Sequence, residues 1–213
     1  MVVAGSCGDG FQRTSFSRRT CVGEPSDQQL ISDALRGTAD SAEAFDLLVL
    51  RYQDRLVHSL EHSLGSREDA LDAAQQAFLL AWQQLSKFRG DSGFYSWLYR
   101  IARNAAISSV RRRRPAGSLD QLTEAGLAEP VDQGTAGTTG AALELDEEVQ
   151  RLRQALRQVP QDFREVLVLK DIDEMSYEQI SELLGIPLGT VRSRLFRARQ
   201  DLLDRMQRLE RDQ

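Results

Sequence analysis

The chain has 213 residues and a formal net charge of −5, with 27 Lys and Arg against 32 Asp and Glu. That length suits one or two domains, and no apolar run approaches the ~20 residues a membrane helix needs. The two cysteines, Cys7 and Cys21, have no histidine nearby, which excludes a disulfide framework and a Cys-based zinc site and leaves a reducing cytoplasm as the expected location.

Few β-branched runs occur and most apolar spacing is helical, so the expected class is all-α. Residues 1–25 are rich in Gly, Ser and Arg without periodicity and read as a disordered tail. Arg18 and Arg19 suggest a twin-arginine export signal, but no apolar segment follows them. Ser26 suits the cap of a short helix ending at Gly37. A long helix from about Ser41 to Leu64 has Phe45, Leu48, Val49, Tyr52, Leu56 and Leu60 as its core stripe. His58, Glu61 and His62 spell H-x-x-E-H, a pattern of one class of zinc peptidases. Both histidines fall on the polar side beside Asp54 and Arg55, and no motif marks a third ligand. Short matches of this kind arise often by chance, so the reading is no metal, no cofactor and no catalytic residue.

Ser66 to Ser86 forms the next helix, with Leu71, Ala74, Phe78, Trp82 and Leu85 directed inward. A second face carries Asp72, Gln75, Gln76, Leu79 and Gln83 and almost no Lys or Arg. It suits either plain solvation or the docking of a protein around an apolar anchor. Phe88 to Phe94 (FRGDSGF) is a short loop, followed by the helix YSWLYRIARNAAISSVRRRR. Lys87 to Arg114 contains eight basic residues and one acid, interleaved with Phe88, Phe94, Tyr95, Trp97 and Tyr99. Leu98, Ile101, Ala102 and Ala105 suit the core, while Tyr95, Tyr99, Arg100, Arg103, Asn104 and Ile107 point elsewhere. Cations for phosphates and aromatics for stacking are what unpaired bases need, at about 1–3 kcal/mol per stacked base. Alternatively the aromatics are core and Arg111 to Arg114 complement the helix dipole.

Pro115 ends that helix, and residues 115–142 form a flexible linker rich in Gly, Ala and Thr. Pro115 to Gln150 contains eight acids and no base, so an acidic connector separates a domain at 26–114 from one at 143–213. The second domain opens with a helix from about Leu143 to Gln158, whose seam is Val149, Leu152, Leu156 and Val159. Pro160 starts another, with Phe163, Val166, Leu167 and Ile172 facing in.

Ser176 to Arg199 then reads as a helix–turn–helix. Ser176 and Gln179 suit a capping box, Gly185 the turn, and Pro187 the first position of the second helix. Val191, Leu195, Ala198 and Leu202 follow a buried stripe. Arg192, Ser193, Phe196 and Arg197 lie on a different one, and Pro187 to Gln200 holds four Arg and no acid. An acid-free, Arg-rich second helix suits a DNA major groove, because Arg pairs bidentately with guanine. A stand-alone helix–turn–helix regulator with an N-terminal sensor or dimerisation domain is the alternative use of such a module.

Two stretches together, EDALDAAQQAFLLAWQQLSKFRGDSGFYSWLYRIARNAAISSVRRRRP and VPQDFREVLVLKDIDEMSYEQISELLGIPLGTVRSRLFRARQDL, resemble the extracytoplasmic-function sigma factors of bacterial RNA polymerase. The resemblance covers about 40–113 and 145–208 and implies two small helical domains, sigma-2-like and sigma-4-like, joined by the flexible acidic linker. It implies that the Asp72, Gln75, Gln76 and Leu79 face docks on the clamp helices of the large subunit of core RNA polymerase, although family members usually have Glu where this chain has Gln76. It places Phe88, Arg89, Phe94, Tyr99, Arg100, Arg103 and Asn104 at the −10 promoter element, melting it and capturing flipped bases. Arg192, Ser193, Phe196 and Arg197 align with the positions that read the −35 element. The linker corresponds to the segment that threads the channels of the polymerase. An anti-sigma protein is a further expected partner; membrane insertion is not expected.

Overall fold

A computed structural model of the chain describes residues 25–38, 40–113 and 140–211. The expected tail, apart from Pro25, and the expected linker, apart from 140–142, lie outside the described residues. Eight α-helices and no strand are found among the described residues.

Helix α1 spans Asp27–Leu35, and Ser26 closes its capping box: its Oγ accepts from the Gln29 N–H while its own N–H donates to Gln29 Oε1. Helix α2 spans Ser41–Leu64 and stops at Gly65, whose φ of 79° is left-handed. A side chain there would be strained by the backbone conformation, so the positive φ favours glycine. Helix α3 spans Arg67–Gln84 and runs into a 3-10 turn at Leu85–Lys87; α4 spans Phe94–Arg113. These helices pack side by side, α1 on α2, α2 on α3 and α3 on α4. Leu48, Leu56, Leu60, Leu85 and Leu98 fill their core.

The inward face of α3 differs from the expected one. Ala70, Ala73, Ala74, Ala77 and Ala81 are buried, whereas Leu71 and Trp82 are exposed and Phe78 is partly buried. The helix packs against both α2 and α4, and small side chains let neighbouring helices approach on two sides. The larger residues are displaced to the rim.

The second group comprises α5 (Gly140–Gln158), α6 (Gln161–Leu167), α7 (Tyr177–Leu184) and α8 (Leu188–Arg211). Helix α6 continues as a π-helical turn over Val168–Ile172, closed by the Asp173 N–H donating to the Val168 carbonyl at 3.0 Å. The wider turn adds a residue and rotates the chain downstream of it. Ile172, expected inside, is therefore exposed, while Val168 and Leu169 are buried. The expected α5 seam holds only at its end: Leu156 and Val159 are buried, whereas Val149 and Leu152 are exposed.

The two groups are packed together. Helix α2 meets α5, α6 and the π-turn, α4 meets α7, and one apolar cluster runs through both groups. Glu174 sits just beyond the π-turn with φ of 56°, a left-handed conformation that costs a non-glycine residue about 1–2 kcal/mol.

Candidate nucleic-acid interface

The helix–turn–helix is built by local rules. Ser176 caps α7 with its Oγ accepting from the Gln179 N–H and its N–H donating to Gln179 Oε1. Gly185 ends α7 at φ 66°, a left-handed turn that aims the chain into α8. Val191, Leu195 and Ala198 are buried, which turns the opposite stripe to solvent. Arg192, Ser193, Phe196 and Arg197 are all exposed, Phe196 by 67%. Two neighbouring arginines serve the fold instead: Arg194 pairs with Asp162 at 3.1 Å and Arg199 with Asp171 at 2.7 Å. The expected stripe is thus presented on one side of one helix, anchored at both flanks.

At the Phe88–Phe94 loop the structure separates two kinds of residue. Arg89, Asn104 and Ile107 are exposed, and Phe88, Arg100 and Arg103 are partly so. Phe94 and the expected outward tyrosines are not: Phe94 is 2%, Tyr95 6% and Tyr99 1% exposed. Phe88, Phe94 and Trp97 form one ring cluster with centroids 5.2–5.9 Å apart. The Tyr99 hydroxyl lies 3.0 Å from Ser63 Oγ, and burial drives its phenol pKa well up. Neither Phe94 nor Tyr99 offers a free ring to a base in this arrangement: Phe94 packs on Phe88 and Trp97, and Tyr99 against Tyr95 and Ser63. The reason is α4's position against α2 and α3, which gives it a wider buried arc than an edge helix has.

The α3 face carrying Asp72, Gln75 and Leu79 is exposed, with Gln76 partly so and Leu79 at 62%. Beside it opens an apolar groove of about 520 Å³ lined by Phe45, Val49, Leu71, Phe78, Leu79 and Trp82. Phe45 and Trp82 form its wall, ring centroids 5.0 Å apart.

A polar cluster absent from the expectations lies between the two groups of helices. Asp173 is 3% exposed, and its Oδ1 accepts from Ser59 Oγ at 2.7 Å, Tyr95 Oη at 2.9 Å and Arg55 Nε at 3.2 Å. The Asp173 carbonyl also accepts from the Arg55 guanidinium at 2.7 Å. Glu165, 8% exposed, accepts from Arg103 Nε at 2.6 Å, and burial pushes its carboxyl pKa up while Arg103 opposes the rise. Arg164 donates to the carbonyls of Ser63 and Arg157. The visible signal for this cluster was the Arg164-Glu165 pair and Asp173 flanking the apolar run Val166 to Leu169.

His58 and His62 lie edge to face at 4.4 Å, while Glu61 pairs with Arg67. Burial, with the charges of His58, Arg153 and Arg157 adding to it, lowers the His62 pKa to about 4. No group of three or more potential metal ligands is found among the described residues.

An exposed arginine stripe on a helix–turn–helix, tied to a second helical group with a basic aromatic loop, defines a two-part DNA-binding protein. The family model for sigma-70 region 2 matches residues 48–116, and that for sigma-70, region 4 matches 149–202. The chain is 39% identical to the RNA polymerase sigma-H factor of Pseudomonas aeruginosa, over 87% of this chain and 96% of that one. It is 36% identical to the ECF RNA polymerase sigma-E factor of Escherichia coli, over 86% and 95%. Among solved structures, CnrH in complex with the cytosolic domain of CnrY aligns with a TM-score of 0.58 at 27% identity, over 88% of this chain and 99% of that one. The sigma factor RpoE in complex with the anti-sigma factor NepR from Bartonella quintana aligns at 0.59 and 25%, over 78% and 98%. The chain belongs to the sigma-70 family and is an RNA polymerase sigma factor of the extracytoplasmic-function type.

Proposed function

We propose that the chain acts without catalysis of its own, in the cytoplasm, by docking on core RNA polymerase and directing it to promoters through two separate DNA contacts. The observation that carries this reading is the α8 stripe: Arg192, Ser193, Phe196 and Arg197 face outward while Arg194 and Arg199 are paired with Asp162 and Asp171. That division suits base reading in the major groove of a −35 element. Arg89, Arg100, Arg103 and Asn104, with Phe88, serve the −10 strand, and Phe94 and Tyr99 hold their frame. Flipping a base costs a few kcal/mol of unstacking, which these contacts must offset. The Asp72, Gln75, Gln76 and Leu79 face and the groove beside it dock the clamp helices of the large subunit. An anti-sigma protein is the natural negative partner, as NepR is for RpoE of Bartonella quintana.

The test is run-off transcription with purified core polymerase and a pool of promoters from the same genome. Specific transcripts that appear only with this chain support the reading. Asp72→Arg is expected to abolish co-purification with core while leaving the helical signal intact; normal co-purification removes the docking assignment.

A further inference from the structure

Within the α8 stripe, Arg192 stands over an aromatic ring. Its guanidinium carbon lies 6.0 Å from the centroid of the Tyr177 ring, and Lys170 Nζ lies 5.2 Å from the same centroid. Such distances fall in the outer range of cation–π attraction. Tyr177 opens α7 directly after the Ser176 capping box, and its partly buried ring packs against the apolar core. Lys170, on the π-turn, is tethered by its Nζ donating to the Met175 carbonyl at 3.1 Å. Glu178, next along α7, reports the same neighbours. Its carboxyl pKa is lowered, first by hydrogen bonds to its own N–H and to Ser176 and then by the charges of Arg192 and Lys170. The stripe of α8 thus adjoins a frame built by α7 and the π-turn.

We propose that Tyr177 is a positioning residue for −35 recognition: its ring limits where the Arg192 guanidinium can stand and so sharpens the choice of base through Arg192. This inference rests on the reading of the α8 stripe as the −35 reader. A guanidinium on an exposed helix face samples many rotamers, whereas bidentate pairing with a base edge needs one orientation. A ring fixed by the core draws the planar guanidinium to its face, which reduces the freedom lost when a base is bound. A guanidinium free to swing can also satisfy a phosphate or a different base, so the restriction favours one partner. Lys170 adds a constraint of the opposite kind. Its tethered ammonium stands near the same ring, and like-charge repulsion keeps Arg192 away from the space it occupies.

The experiment uses the full chain with core polymerase and competition among promoters that differ by single bases in the −35 element. Arg192→Ala first identifies the position that Arg192 reads, as the one where discrimination is lost. Tyr177→Leu is expected to relax discrimination at that same position by about three- to tenfold, the share of binding that ordering one long side chain controls. Tyr177→Phe keeps the ring and is expected to keep the parental discrimination. In the Arg192→Ala background, Tyr177→Leu should add nothing. The proposal is overturned if Tyr177→Leu leaves that position as selective as in the parent, or if its effect is the same with and without Arg192. Equal weakening of all promoters by Tyr177→Phe also overturns it, and makes the hydroxyl a phosphate contact. Should Tyr177→Leu fail to fold, the parent decides: nuclear Overhauser contacts between the Tyr177 ring and the Arg192 side chain are expected, and their absence overturns the proposal. Arg192→Ala separates the two ideas. Unchanged discrimination at every −35 position removes the reading of Arg192 and the proposal with it; a loss there that Tyr177→Leu does not share removes the positioning alone.

Discussion

Tyr99 decides between a base-stacking ring and a structural one. It is 1% exposed, it lies within the layer shared by α2, α3 and α4, and its hydroxyl meets Ser63 Oγ at 3.0 Å. Truncating a buried aromatic costs about 3–5 kcal/mol in lost transfer energy and cavity. Removing the hydroxyl alone costs about 0.5–1.5 kcal/mol, the net worth of one hydrogen bond. Domains of this size hold about 5–15 kcal/mol in total, so Tyr99→Ala should lose much of the stability and Tyr99→Phe little. Urea unfolding followed by far-ultraviolet circular dichroism measures both. A ring used only for stacking gives a different pattern: Tyr99→Ala unfolds like the parent but fails to open the −10 region, seen as lost permanganate reactivity of its thymines. That pattern would refute the structural assignment and return Tyr99 to the DNA contact.

The His62 pKa is pulled down from 6.5 to about 4, by burial first and then by His58, with Arg153 and Arg157 adding and Glu61 opposing. The unfolded chain therefore takes the proton first, and stability falls as pH drops from about 6.5 to about 4. At ~1.36 kcal/mol per pKa unit the full shift is worth about 3.4 kcal/mol, which solvent screening of a partly buried ring reduces to about 1 kcal/mol. Unfolding midpoints at pH 7.5 and 5 should converge in His62→Gln; an unchanged pH dependence sinks the assignment. Arg197→Ala should cost about 1–3 kcal/mol and relax specificity at one −35 position, read by competition among promoter variants. Equal weakening at all promoters would make it a phosphate contact. Ser176→Ala removes the side-chain bond of the α7 capping box and should cost about 1 kcal/mol in urea unfolding; no change in midpoint would show that the cap is dispensable.

What the chain's own order of residues determined was local. The cap at Ser26, the capping box at Ser176, the glycine stop at Gly185 and the buried stripe of α8 all arise from contacts within a few residues, and each stands where spacing and turn chemistry put it. The outward arginine stripe was legible for the same reason, since fixing the buried face of a helix fixes the opposite one. The tertiary structure decided what depends on neighbours. Periodicity says that a helix has an apolar side but not how closely another helix approaches, so the alanine face of α3 and the burial of Tyr95 and Tyr99 emerged only from packing in three layers. A π-turn leaves no period to count, and it moved Ile172 outward. The pairing of Glu165 with Arg103 and of Asp173 with Arg55, Ser59 and Tyr95 joins residues 62–118 positions apart. No local rule specifies such partners, because a carboxylate's choice among cations is set by which of them the fold brings within hydrogen-bond reach.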